Sequence, residues 1–162
     1  IFYDYGAFKD RLYIMASRGC PYKCTYCFNH NYQRFYKNKG NFVRFRKPAK
    51  VIDEIVHFKK LYPSIKEVFF YDDNFTLKKI WTLELCRQYK ERVYDVYRIP
   101  FKCLVRADQI DIDIARALKD AGCIYVDMGL ESGDDYVRNE ILKRNMSDDE
   151  IIKAANWLNF AF

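Results

Sequence analysis

Four times along this chain a short apolar run gives way to a segment whose hydrophobic residues recur at helical spacing. The first run, Leu12 to Ala16, is strand-like and leads into a polar loop. Beyond that loop, Asn29 to Lys47 reads as irregular and basic. Pro48 suits the first turn of a helix, where its missing N–H goes unneeded. Val51, Ile52, Ile55, Val56 and Phe58 carry this helix towards Tyr62-Pro63. The second run, Glu67 to Tyr71, ends in Asp72-Asp73-Asn74. Leu77, Trp81, Leu85, Tyr89 and Val93 then repeat every four residues along a second helix. The third run, Phe101 to Val105, follows Pro100 and ends at Arg106. Ile114, Ala115, Leu118 and Ala121 mark a third helix, with Gly122 as its C-cap. The fourth run, Cys123 to Leu130, ends in Glu131-Ser132-Gly133, and a helix is expected from Asp134 to Arg144. Ser147 and Glu150 form a capping box for a last helix, in which Ile151, Ile152, Ala155 and Leu158 share a face.

Short strands joined by helical crossovers predict an α/β fold with a parallel sheet. The chain carries no Gly-rich dinucleotide fingerprint, which disfavours a Rossmann domain and leaves a partial TIM-like barrel as the better fit. Parallel α/β proteins place their chemistry at the carboxyl ends of the strands. By that rule the cysteine loop, Asp72-Asp73-Asn74, Arg106 and Glu131 fall on one rim.

The chemistry on that rim starts with Cys20, Cys24 and Cys27, a C-x-x-x-C-x-x-C run inside Arg18-Gly-Cys-Pro-Tyr-Lys-Cys-Thr-Tyr-Cys-Phe-Asn29. Three thiolates so close in sequence can gather on one metal centre, but they do not supply four ligands. An iron–sulfur cube held this way keeps one iron open to bind and reduce a small molecule. The competing reading is a Cys3His zinc knuckle in which His30 is the fourth ligand. A third is an electron-transfer iron–sulfur domain with no substrate. Cys86, Cys103 and Cys123 are isolated in apolar or periodic segments and read as buried core thiols. Nothing in the sequence looks secreted, so free thiols fit a reducing cytoplasm.

The run Gly19-Cys20-Pro21-Tyr22-Lys23-Cys24-Thr25-Tyr26-Cys27-Phe28-Asn29 resembles the signature of the radical S-adenosylmethionine (radical SAM) enzymes, with Tyr26 at the aromatic position before the third cysteine. The segments Tyr71 to Thr76, Val105 to Asp108 and Met128 to Gly133 look like those of cobalamin-associated members. The resemblance implies a partial (β/α)6 barrel, of which about four strand–helix units are present. It implies a [4Fe–4S] cluster on Cys20, Cys24 and Cys27 whose open iron chelates S-adenosylmethionine. Reductive cleavage would then give a 5′-deoxyadenosyl radical, with methyl transfer as the first subtype and methylthiolation as the next. It also implies that Tyr26, Asp72, Asp73, Arg106 and Glu131 lie against the cofactor. Asp72 and Asp73 depart from the common Gly-Gly-Glu form at this place. No Asp-x-His-x-x-Gly corrin motif occurs, so cobalamin would bind through a domain outside this sequence.

Length and charge refine this picture. At 162 residues the chain is one radical SAM-like core domain, 1–162, the N-terminal portion of the barrel, with ends that look cut from a longer protein. No apolar run is long enough to span a bilayer, and no signal-peptide pattern is present. The net charge of +6 is uneven: Arg11 to Ile52 contains ten basic residues and no acidic one. That field surrounds the cysteine loop and would favour an acidic electron donor such as flavodoxin. The interleaved aromatics Tyr32, Phe35, Tyr36, Phe42 and Phe45 also fit a nucleic-acid surface, the less favoured partner because no RNA-binding motif accompanies them.

Overall fold

The computed structural model describes residues 10–162. Strands β1 (Arg11–Ile14), β4 (Glu67–Phe70), β5 (Phe101–Val105) and β6 (Cys123–Met128) form one parallel sheet in the order β1-β4-β5-β6. Register is set by buried rows that run straight across it. Leu12 faces Val68, Val68 faces Phe101, and Phe101 faces Cys123. Ile14, Phe70, Cys103 and Val126 make the next row. A slip of one residue would turn each row out of the core, so these side chains fix the pairing.

Helices α2 (Pro48–Leu61), α3 (Lys79–Tyr89) and α5 (Ile112–Asp120) pack on the face that these rows present. Val51, Ile52, Ile55, Leu85, Tyr89, Ile114 and Leu118 are their buried contributions. Phe70 lies at the centre, its ring 4.8 Å from Phe75, 5.4 Å from Phe101 and 5.9 Å from Tyr89. The opposite face carries Tyr13, Tyr71 and Tyr125, all exposed. Among the described residues the helices lie on one face, as in a barrel wall, whereas a doubly wound sheet is covered on both. Cys86, Cys103 and Cys123 are buried in the core, as their apolar settings predict.

Local signals account for several boundaries. The Ser147–Glu150 capping box starts α6 (Asp148–Ala161). Gly122, at φ 84°, follows the end of α5 and donates its N–H to the Lys119 carbonyl. Only glycine adopts that backbone without penalty.

Three segments differ from the sequence expectation. Asn29 to Lys47 is not wholly irregular: it holds α1 (Asn29–Phe35) and strand β3 (Arg44–Phe45), which pairs antiparallel with β2 (Ser17–Arg18). The second helix is not uniform. A π-helical stretch, Lys90–Tyr94, extends α3 and turns Val93 into the core before the short α4 (Asp95–Tyr97). The helix expected over 134–144 shrinks to a π-helical turn, Val137–Ile141. Its cause is Arg138, whose side chain is fully buried and binds the Met146 and Ser132 carbonyls at 2.9 and 3.1 Å. The chain curls around this guanidinium, with Lys143 and Asn145 at positive φ.

Removing Arg138 leaves the Ser132 carbonyl without its side-chain donor, leaves the Met146 carbonyl to Asn139 Nδ2 alone and unpairs Asp135 and Asp148, at about 1–3 kcal/mol for each buried or charged bond lost. Arg138→Met should therefore cost about 2–5 kcal/mol in denaturant unfolding. A loss below about 0.5 kcal/mol, the level of an ordinary surface change, would contradict this account.

Candidate cluster and cofactor site

The cysteine loop leaves the carboxyl end of β1 by way of β2 and is built from contacts outside itself. Gly19 takes φ 85°, and a Cβ there would collide with the Phe42 backbone. Cys20 and Cys24 are buried, and Cys27 is half-buried. The Cys27 N–H bonds the Cys24 carbonyl at 3.1 Å, which turns the second and third thiols back on each other. Gln33 of α1 reaches back and donates to the Cys20 carbonyl at 2.8 Å. Thr25 ties the middle of the loop to the far end of the site. Its N–H bonds the Leu142 carbonyl at 3.1 Å and its Oγ1 bonds the Ile141 carbonyl at 2.8 Å.

Asp72 and Asp73 reach this loop from the end of β4. Asp72 is buried and accepts from the Ala16 N–H at 3.2 Å and from the Ser17 N–H and hydroxyl. These bonds stop β1 at Ile14 and steer the chain into the loop. Asp73 accepts from the Gly19 N–H and from Asn29 Nδ2, each at 2.7 Å.

Arg106, at the end of β5, is a buried hub. Its guanidinium forms a bidentate pair with Asp108 at 3.0 and 3.1 Å and bonds the Arg144 carbonyl at 2.8 Å. It lies 3.6 Å from the centre of the Tyr22 ring and 3.8 Å from the Cys24 Sγ. Tyr22 in turn donates to Asp108 at 3.0 Å and accepts from Gln109 at 2.9 Å. Burial, with Asp108 beside it, pushes the Tyr22 hydroxyl up to about 12, so it remains a donor. Burial also raises the Cys20 thiol, and the Arg106 charge works against that shift. A cation at this place favours the thiolate that metal binding requires.

The far side of the loop carries a second arginine. Arg144 is buried and donates to the Tyr26 hydroxyl and to the Gly129 carbonyl. Its Nη1 lies 3.7 Å from Glu131. Its Nε is buried with no hydrogen-bond partner. Glu131 follows β6 at φ 67° and stays exposed. The Tyr26 ring is half-exposed, and burial of the hydroxyl pushes its pKa up to about 12.

The structure therefore brings Cys20, Cys24, Cys27, Tyr26, Asp72, Asp73, Arg106 and Glu131 to one rim. Their bonding is unequal. Asp72, Asp73 and Arg106 face protein partners, whereas Tyr26 and Glu131 are open to solvent around Arg144. Sequence reasoning missed Arg144, Tyr22 and Asn29. Arg144 sits in a segment read as the tail of a helix, and only the truncation of that helix by Arg138 brings it to the rim.

These residues suit an iron–sulfur cluster and an amino-acid cofactor. Three soft thiolate donors match a cube, and the unpaired Nε of Arg144 leaves a buried donor for an anionic group. Among the described residues, no three His, Cys, Asp or Glu side chains gather about a single ion.

Comparison with known proteins identifies the family. Residues 14–159 match the model of the radical SAM superfamily, and the chain belongs to it. An uncharacterized methyltransferase from Pyrococcus horikoshii is 32% identical over 121 residues, covering 74% of this chain and 24% of that protein. The radical S-adenosylmethionine methyltransferase TsrM from Kitasatospora setae, solved with tryptophan and a SAM analogue, superimposes over 95% of this chain and 29% of its own with a TM-score of 0.77 and 18% identity. The cobalamin-dependent S-adenosylmethionine radical enzyme OxsB, solved with aqua-cobalamin and S-adenosylmethionine, covers 94% of this chain and 22% of its own at a TM-score of 0.69 and 22% identity. The fold is thus a partial core of the radical SAM barrel, and the family's cofactors are a [4Fe–4S] cluster and S-adenosylmethionine. The chain spans about a quarter of the length of these relatives. Among the described residues, no helix is long and apolar enough to cross a membrane.

Burial pushes the Asp72 carboxyl up to about 6 from an ordinary value of 3.8, with the Ser17 and Ala16 bonds pulling it back. The folded value exceeds the unfolded one, so protonation favours the fold. The resulting stability is fully present below about pH 4 and is lost as pH rises through about 6. A shift of about two units corresponds to about 3 kcal/mol. Unfolding of wild type and Asp72→Asn, compared from pH 4 to 7, should show the wild type losing stability relative to the variant. A parallel pH dependence in the two proteins would mean that Asp72 titrates normally.

Proposed function

We propose that this chain is the part of a radical SAM enzyme that binds a [4Fe–4S] cluster through Cys20, Cys24 and Cys27 and reductively cleaves S-adenosylmethionine, for methyl transfer. The observation that carries this reading is the convergence at one rim of three thiols from the β1 end with Arg144 and Glu131 from beyond β6. When bound, the cluster would supply one electron to the sulfonium, giving methionine, which keeps its methyl, and a 5′-deoxyadenosyl radical to activate the substrate, while the transferred methyl would come from a second S-adenosylmethionine. Methyl transfer is favoured because a methyltransferase is among the relatives in sequence and another among those in fold.

The chain's own groups have separable roles. Arg106 holds the loop, because its donors already meet Asp108, the Arg144 carbonyl and Cys24. Arg144 is the better cofactor arginine. Its free Nε suits the methionine carboxylate, and its bond to Tyr26 holds that ring beside the third cysteine. Glu131, exposed and 3.7 Å from Arg144, suits the ribose hydroxyls. An acidic electron donor is favoured by cations beside the loop. Lys23, Arg34, Lys37 and Lys39 are exposed and form no ion pair among the described residues. On α3, by contrast, Arg87 is held between Glu84 and Glu91. Exposed Phe28, Tyr32 and Phe35 lie among these cations as apolar contacts for such a partner. Cobalamin would enter through sequence outside this chain.

Cys20→Ala, Cys24→Ala and Cys27→Ala should each abolish stoichiometric iron and acid-labile sulfide. Serine at Cys86, Cys103 or Cys123 should leave both in place. In cluster-loaded protein, Arg144→Ala and Glu131→Ala should weaken S-adenosylmethionine binding about ten- to a hundredfold by calorimetry, the effect of losing one charge-assisted bond. Wild-type affinity in both variants would show that the cofactor lies elsewhere.

A further inference from the structure

Asp73 bridges two points that bracket the ligands. Gly19 immediately precedes Cys20, and Asn29 lies two residues beyond Cys27. One carboxylate oxygen takes the Gly19 N–H and the other takes the Asn29 amide, both at 2.7 Å. A single side chain from β4 thus closes the whole ligand loop.

We propose that Asp73 is a positioning residue for the cluster: its carboxylate closes the loop from Gly19 to Asn29 and so fixes the three cysteines relative to one another. This goes beyond the proposed function while resting on its cluster reading. It also reassigns a residue that the family resemblance placed against the cofactor.

The surrounding geometry leaves the loop ends little else. Gly19 is confined on its other side, where a Cβ would strike the Phe42 carbonyl. Its N–H points to Asp73. The middle of the loop is secured separately, by Thr25 to Ile141 and Leu142 and by Gln33 to Cys20. Those bonds hold Cys24 and the Cys20 carbonyl, but none of them joins the first residue of the loop to the last. Charged acceptors make the stronger hydrogen bonds, and two of them on one rigid side chain resist spreading of the loop. The same carboxylate also places a negative charge beside the first cysteine, and nearby charge is one of the determinants of a cluster's reduction potential.

These two effects can be separated. Asp73→Asn keeps an acceptor for Gly19, and Asn29 can turn its amide to accept from the new one, so closure survives while the charge is lost. Asp73→Ala loses both. Asn29→Ala opens the closure from the other end and keeps the charge. In the cluster-loaded protein, purified anaerobically, iron release to a chelator should be about ten- to a hundredfold faster in Asp73→Ala and in Asn29→Ala. It should remain near the wild-type rate in Asp73→Asn, whose reduction potential should move in the positive direction. S-adenosylmethionine affinity of the loaded fraction should stay within about twofold of wild type in all three variants. Wild-type release from both alanine variants would overturn the proposal, as would loss of S-adenosylmethionine binding with iron retained. Should Asp73→Ala fail to fold, Asn29→Ala and Asp73→Asn decide the matter. A wild-type protein that takes up no iron and sulfide would instead refute the cluster reading.

Discussion

A loop that must hold three thiols apart has no ladder in which to satisfy its own backbone. Its N–H and carbonyl groups need partners from elsewhere, since buried polar groups left unpaired are costly. That constraint organises this rim. Asp72 and Asp73 receive the N–H groups of Ala16, Ser17 and Gly19. Gln33 donates to the Cys20 carbonyl, and the Thr25 N–H and hydroxyl reach the Leu142 and Ile141 carbonyls. The sheet supplies the rigidity behind them. Phe70, two residues before Asp72, is locked among Phe75, Tyr89 and Phe101, so the β4 end cannot drift.

The two arginines divide the electrostatic work. Both are buried, which is tolerable only where partners surround the charge. Arg106 has a complete set and braces the loop from behind through Tyr22 and Cys24. Arg144 has an incomplete set and faces Tyr26 and Glu131. A saturated cation serves the scaffold, and an unsaturated one leaves room for a ligand. Arg138, earlier in the same segment, is saturated too. It shortens the helix so that Arg144 arrives at the rim and not on a solvent-facing turn.

What could be read from the sequence follows from the range of each interaction. Strand positions, the Gly122 cap and the Ser147–Glu150 box rest on neighbours within a few residues, and the structure has them in place. The cysteine spacing is likewise local. The partners of Asp72 and Asp73 lie dozens of residues away, as do Cys24 and the Arg144 carbonyl that Arg106 meets besides neighbouring Asp108, so hydrophobic pattern carries no trace of them. The expectation that both aspartates and Arg106 meet the cofactor came from the family resemblance together with their strand-end positions, which the fold does supply. Their side chains instead turn to the loop. The contraction of the 134–144 helix was equally hidden, because a buried arginine within a polar segment leaves no periodic mark.

The central claim is that three thiolates hold a cluster whose remaining iron is open to the cofactor. Electron paramagnetic resonance of the reduced, iron- and sulfide-loaded protein, before and after adding S-adenosylmethionine, tests it most directly. A [4Fe–4S]⁺ signal that changes shape on addition is the predicted result. A loaded cluster whose signal is indifferent to S-adenosylmethionine, or a protein that retains zinc and no sulfide, would contradict it.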